Sequence, residues 1–110
     1  MSVLQERGDR AMLNMKSESL DRFFEAILHL ETPEECYRFF EDVCTIKEIR
    51  EIAQRLDVAR YLSDGNNYQV ISALTGASTA TISRVNKCLN YGSGGYREML
   101  KKLETENKQQ

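Results

Sequence analysis

The chain has little that would build a membrane span, a metal site or a disulfide framework. It has 110 residues, with no Trp, one Pro and one His. Its three cysteines, Cys36, Cys44 and Cys88, are odd in number and form no CxxC pair. We therefore expect them to be small buried residues in a reduced compartment. No apolar run approaches the roughly 18 residues of a membrane-spanning helix and the N-terminus lacks an apolar signal core, so we predict a cytoplasmic protein.

Residues suited to catalysis are also scarce. The single histidine, His29, excludes a multi-histidine metal site, and its place near the end of a predicted helix favours an interaction with the helix C-terminus. Adjacent carboxylates such as Glu34 and Glu35 diverge on a helix, which is typical of a solvated face. The glycine-rich run at residues 92–95 follows no predicted strand, so it is not a phosphate-binding loop. The sequence therefore predicts a protein that is not an enzyme and holds no cofactor or metal.

Acidic residues are missing from one long stretch of the chain. Between Gly65 and Arg97 there is no Asp or Glu, whereas Arg84, Lys87 and Arg97 give that stretch a charge of +3. Because the whole chain carries −2, the remainder carries −5. An acidic body with one locally basic element suits a protein that presents a single face to DNA.

The chain does contain a succession of amphipathic helical segments, and few β-branched runs. Helix-capping signals occur near Ser17 or Ser19, at Thr32-Pro33, from Thr45 to Glu48, and at Asn66 or Asn67. Together with a cap at Ser78 and a final helix over residues 96–104, these signals predict an all-α fold with six helices and no strands. We expect a flexible N-terminal arm at residues 1–16, one helical domain at 17–105 and a frayed tail at 106–110.

Residues 67–89 have the pattern of a helix-turn-helix. Val70, Ile71 and Leu74 give the first helix an apolar face, and Gly76 supplies the turn. The second helix has an inner stripe with i, i+3, i+7 spacing, and a serine at its start can cap it. The stripe consists of Ile82, Val85 and Leu89, and the capping serine is Ser78.

The outer face of that second helix is small and polar at its start and basic further on. Short side chains let the backbone approach base edges, while Arg and Lys can contact guanine or phosphate. Two residues of the first helix, Asn67 and Gln69, are placed to anchor it to the DNA backbone. The predicted DNA-binding residues are Asn67, Gln69, Ser78, Thr79, Ala80, Thr81, Ser83, Arg84 and Lys87.

Two separated groups of motifs resemble a known family. The stretch from Thr45 to Leu103 resembles the Trp repressor, and residues 35–40 (ECYRFF), 76–85 (GASTATISRV) and 88–92 (CLNYG) resemble its YerC/YecD branch. The resemblance implies a six-helix protein that acts as an intertwined homodimer on double-stranded DNA. The first three helices and the last one would then build the shared core, and residues 70–89 would project from it. Such a protein is a transcriptional regulator, and a repressor is the expected type.

The resemblance also implies a possible effector pocket, formed by Thr45, Arg55, Arg84, Val85 and Cys88. Tryptophan-responsive repressors have Gly at the position of Val85, and overpacking of this kind typically costs about 1 to 3 kcal/mol. We therefore expect DNA binding without tryptophan, and the sequence identifies no other effector. Thr45 and Arg55 also have simpler interpretations, as a helix N-cap and as an ion-pair partner of Glu51.

A second function class is compatible with the same pattern. A helical dimer can use its helix-turn-helix to bind protein, as an adaptor module on other DNA-bound machinery. The few cations of each subunit keep this alternative open, because they predict only modest non-specific affinity for DNA. Salt-dependent DNA binding discriminates between the two classes.

Overall fold

The computed structural model describes residues 15–109, with side chains up to residue 106, and α-helices are the only regular secondary structure in this part of the chain. The prediction of six helices without strands is confirmed within this range. Met15 and Lys16 are the only described residues of the predicted N-terminal arm, and the rest of it lies outside the described residues. None of the described helices is long and apolar enough to span a membrane. The helices are α1 (Glu18–Leu28), α2 (Pro33–Val43), α3 (Ile46–Ser63), α4 (Tyr68–Thr75), α5 (Thr79–Tyr91) and α6 (Gly95–Gln109).

Side-chain caps fix the starts of the first five helices. Ser17, Thr32, Asn67 and Ser78 each accept a hydrogen bond from the backbone N–H three residues on, at 2.9–3.1 Å. At the start of α3, Thr45 and Glu48 form a complete capping box, as their spacing predicts. Because such bonds supply partners to otherwise unpaired N–H groups, they fix each boundary locally.

The buried core lies around the helix-turn-helix. The long helix α3 packs against α4, α5 and α6, and α5 packs against α4 and α6. Tyr61 and Leu62 of α3 and Tyr96 and Leu100 of α6 pack around the buried cluster. The fully buried residues are Val58, Ala59, Ile71, Ala77, Ile82, Val85 and Leu89. The predicted inner stripe of α5 is therefore confirmed, and α3 and α6 pack against α5.

Helices α1 and α2 form an open layer beside this core. Neither helix has a buried residue, although both have strongly amphipathic sequences. Phe23 of α1 stacks on Phe39 of α2 with 6.0 Å between ring centroids, and Phe40 meets Phe39 edge-on. Leu28 remains 84% exposed. A single chain thus leaves the apolar faces of these helices largely uncovered.

Several local predictions differ from the structure. Val70 and Leu74 are 41% and 58% exposed, because only Ile71 of the three predicted apolar residues of α4 faces α3 and α5. Cys88 is exposed, since it lies beside the buried stripe and not within it. Helix α6 runs to Gln109, past the predicted end at Glu104, because residues 101–109 are mostly strong helix formers.

Candidate nucleic-acid interface

Helix α5 has a buried side and an open polar side. Ile82, Val85 and Leu89 are at most 4% exposed, and they hold the helix against α3 and α4. The opposite side carries the small and basic residues that the sequence assigns to DNA contact. Thr79, Ala80, Ser83, Arg84 and Lys87 are all exposed, and Thr81 is half-buried. The structure therefore brings the predicted contact residues of α5 together on one accessible face.

The start of this face is shaped by Ser78. Its hydroxyl accepts a hydrogen bond from the Thr81 N–H at 3.1 Å and lies 3.1 Å from the Thr81 hydroxyl. Ser78 and Thr81 are therefore engaged in capping as well as being near the proposed DNA face. Thr79 and Ala80, which lie between them, leave only short side chains on the first turn of α5. Short side chains permit close approach of the helix N-terminus to a phosphate or a base edge.

The turn between α4 and α5 is held by hydrogen bonds. Gly76 ends α4 with φ = +75°, a left-handed conformation that favours glycine. The Thr75 hydroxyl donates to the Ile71 carbonyl and accepts from the Ala77 N–H, and the Ser72 hydroxyl donates to the Ala77 carbonyl. The angle between the two helices is therefore built into the turn.

One contact to this turn was not predicted from the sequence. Gln54 of α3 donates from Nε2 to the Thr75 carbonyl at 3.1 Å, and so joins the long helix to the turn. The two residues are 21 positions apart in the chain. No local spacing signals such a pair, because it depends on how α3 and α4 pack.

The two predicted contact residues at the start of α4 differ in whether the side chain already caps the helix. Asn67 Oδ1 accepts from the Val70 N–H at 2.9 Å, so its side chain caps α4. Gln69 is exposed on the first turn. Gln69 is therefore the more available of the two for a contact with the DNA backbone.

A second unpredicted contact ends α5. Arg97 of α6 donates from Nε to the Leu89 carbonyl at 2.9 Å and from Nη2 to Asn90 Oδ1 at 3.0 Å. Arg97 is one of the three cations of the acid-free stretch, and these bonds direct its guanidinium to α5. Arg84 and Lys87 are the two cations of that stretch that lie on α5 itself.

The residues that the resemblance assigns to an effector pocket have mixed roles. The Thr45 hydroxyl accepts from the Glu48 N–H at 3.1 Å, while Glu48 Oε1 accepts from the Thr45 N–H at 2.9 Å. Hydrogen bonding of the Glu48 carboxylate to the Thr45 backbone N–H and, to a smaller extent, to the Thr45 side chain lowers the pKa of Glu48. Arg55 is half-buried in α3 and forms no salt bridge with Glu51, so the alternative ion-pair interpretation was wrong. The N-cap interpretation of Thr45 is confirmed.

Val85 and Cys88 are three residues apart on α5 but differ in burial. The Val85 side chain is 1% exposed and packs in the cluster that contains Val58 and Ile82. Cys88 is exposed and borders a shallow surface groove with Gly92, Tyr96 and Met99. Gly92 cannot carry a Cβ without meeting the Cys88 carbonyl, which explains the glycine that follows α5. Val85 therefore fills the interior at the position where the family resemblance implies glycine in tryptophan-responsive repressors.

A capped, exposed helix that follows a glycine turn on a helical scaffold is a helix-turn-helix, an arrangement common in DNA-binding proteins. Residues 18–104 match the family model for the Trp repressor protein. The chain belongs to the Trp repressor family, and within it to the YerC branch. It is 54% identical over 96 residues to the uncharacterized protein YerC of Bacillus subtilis (strain 168), covering 84% of this chain and 92% of YerC.

Solved structures agree with this assignment. A candidate Trp repressor from Staphylococcus aureus superposes with a TM-score of 0.81 at 44% identity, over 84% of this chain and 93% of that one. A TrpR like protein from Eubacterium eligens ATCC 27750 also superposes with a TM-score of 0.81, at 48% identity, over 83% of this chain and 94% of that one. The predicted fold and family are confirmed.

Proposed function

We propose that the protein is a sequence-specific transcriptional regulator that binds double-stranded DNA as a homodimer through α5. The observation that carries the proposal is the division of α5 into a fully buried apolar stripe and an exposed small, polar and basic face. That face has the chemistry of a major-groove helix. Thr79, Ala80 and Ser83 would approach base edges. Arg84 and Lys87 would bind guanine or phosphate.

The uncovered apolar surface supports a homodimer. Leu28 of α1, Tyr37 of α2 and Ile46 of α3 are 84%, 78% and 66% exposed, and neither α1 nor α2 has a fully buried residue in a single chain. Apolar surface of this extent is typical of an interface. A second copy that packs on α1, α2 and the start of α3 would cover it, as the family resemblance implies. Two α5 helices would then reach half-sites about one helical turn, or roughly 34 Å, apart.

We also propose that DNA binding does not require tryptophan. Val85 supports this, because its buried side chain occupies space that a flat ring in the known pose would need. The capping box engages Thr45 in a structural role. The proposal that the regulator represses transcription rests only on its membership of the Trp repressor family.

Selection of bound fragments from the source genome tests this function. The purified full chain, without tryptophan, is expected to enrich a shared two-fold symmetric sequence. Arg84→Ala should weaken binding to that sequence by about 1 to 3 kcal/mol if Arg84 contacts a base, and weaken all DNA similarly if it contacts phosphate. Lys101→Ala is the matched control, because it removes an exposed cation from α6.

The outcomes separate the two function classes. Equal affinity of wild type and Arg84→Ala would contradict a role of that residue in DNA contact. A second outcome is that the protein enriches no sequence, with or without tryptophan, and that its DNA binding shows little salt dependence. That result would favour the protein-binding adaptor over the transcriptional regulator.

A further inference from the structure

We infer that Arg97 is a positioning residue for DNA recognition, which fixes the orientation of α5 by joining its last turn to α6. The inference rests on the proposed function and deepens it, because it assigns a role to a residue outside the DNA-contacting face. Its basis is a chain of side-chain hydrogen bonds along α5, which we call the Arg97 network (Arg97, Asn90 and Asn86).

The network begins at the C-terminus of α5. The last carbonyls of a helix lack partners within the helix, and the helix dipole makes this end partially negative. Within α5 itself, no basic residue lies in the last turn. Arg97 supplies the missing cation from α6, with Nε on the Leu89 carbonyl. The guanidinium thus meets both the hydrogen-bonding and the charge requirement of this helix end.

The network then continues toward the middle of α5. Arg97 Nη2 donates to Asn90 Oδ1, and Asn90 Nδ2 donates both to the Asn86 carbonyl and to Asn86 Oδ1 at 3.0 Å. Because one guanidinium holds two acceptors at fixed angles, it restricts rotation of α5 about its axis as well as fraying of its end. Asn86 is the neighbour of Lys87 and Val85 in the chain, so the network reaches the segment that carries the proposed DNA contacts.

The helix before α5 is attached separately. Gln54 of α3 donates to the carbonyl of Thr75, the last residue of α4. Polar side chains of the supporting helices therefore bind the last residue of α4 and the last turn of α5, and among the described residues Arg97 provides the only guanidinium hydrogen bond between helices. Base contacts need a fixed helix orientation, whereas phosphate contacts tolerate small rotations.

The test compares specific and non-specific DNA affinity of full-length variants. Arg97→Met keeps the aliphatic stem and removes the donors and the charge. We expect its affinity for a genome-selected fragment to fall about tenfold, while its affinity for random-sequence DNA stays near that of wild type. The slope of log affinity against log salt should stay unchanged, because Arg97 does not contact phosphate. Lys101→Met, on the same helix, should leave both affinities unchanged.

Two further variants keep the test valid if Arg97→Met fails to fold. Arg97→Lys retains the charge but cannot present the planar fork to both acceptors, so we expect an intermediate loss of specific affinity. Asn90→Leu leaves the bond to the Leu89 carbonyl and removes the second acceptor, so we expect a similar intermediate loss. Circular dichroism and the oligomeric state confirm that each variant is folded.

Three results would overturn the positioning role of Arg97. A salt slope reduced by about one per subunit in Arg97→Met would make Arg97 a phosphate contact and overturn the inference. Lower thermal stability with an unchanged ratio of specific to non-specific affinity would reduce Arg97 to a structural role and also overturn it. If wild type itself shows no preference for a selected fragment, the proposed function fails, and the inference fails with it.

Discussion

Arg84 and Arg97 belong to the same acid-free stretch, yet the fold gives them different surroundings. Arg84 is exposed on the polar face of α5, and its position suits a contact with DNA. Arg97 bonds to the end of α5 through two nitrogen atoms. The sequence-based charge of +3 therefore overstates the charge that this stretch presents to DNA. Arg84 and Lys87 of two subunits would contribute a salt slope of about −3.6.

Glu48 provides a pH-dependent contribution to stability. Its hydrogen bonds with Thr45 lower its pKa in the folded chain, so folding is favoured by the ionised carboxylate. The contribution is complete above the unfolded pKa, about 4.3, and is lost as the pH falls through the lower folded value. We expect Glu48→Gln to be less stable than wild type at neutral pH, with the difference shrinking as the pH falls below about 4. Urea unfolding at fixed protein concentration measures this.

Glu51→Gln is the matched control for the capping box, because Glu51 lies one turn further along α3, outside the box. Its stability relative to wild type should not show the same convergence at acid pH. A constant difference between Glu48→Gln and wild type across this pH range would contradict the role of the ionised carboxylate in the box.

At the scale of elements, the sequence predicted the features that depend on near neighbours. Helix caps join residues three apart, so Ser17, Thr32, Thr45 and Ser78 could be identified from their spacing alone. The buried stripe of α5 was predicted for the same reason, because periodicity fixes which residues share a helix face. The polar face of α5 followed directly from it.

Features that depend on packing between elements could not be predicted. Gln54 reaches the turn only because α3 crosses α4 there, and Arg97 reaches Asn90 only because the loop after α5 turns α6 back toward it. Val70 and Leu74 satisfy the helical period but face away from the core. Only the Asn86–Asn90 pair of the Arg97 network had a local signal, its i, i+4 spacing.

On the scale of the whole molecule, one chain builds a closed core around α3 to α6 and leaves α1 and α2 open. Phe23, Phe39 and Phe40 form aromatic contacts at this open layer without becoming buried. A buried core on one side and uncovered amphipathic helices on the other are typical of a subunit of an obligate oligomer. Folding and dimer formation should then be coupled.

A charged substitution in the open layer tests this coupling. We expect Leu28→Glu to lower the dimer fraction strongly and to make the chain less stable, because burial of a carboxylate in an apolar interface is unfavourable. Sedimentation equilibrium over a concentration series measures the effect. Leu74→Glu is the matched control, since it makes the same change at an exposed leucine of α4. Equal dimer fractions of wild type and Leu28→Glu would place the interface elsewhere.

Equilibrium binding of the full-length protein to a genome-selected fragment, measured without tryptophan and with saturating tryptophan, tests most directly whether the protein is a tryptophan-independent regulator. We predict salt-dependent, sequence-specific binding of a dimer with the same affinity in both conditions, because the buried Val85 side chain would occupy space that the proposed tryptophan pose needs. Specific binding that appears only when tryptophan is present would contradict it.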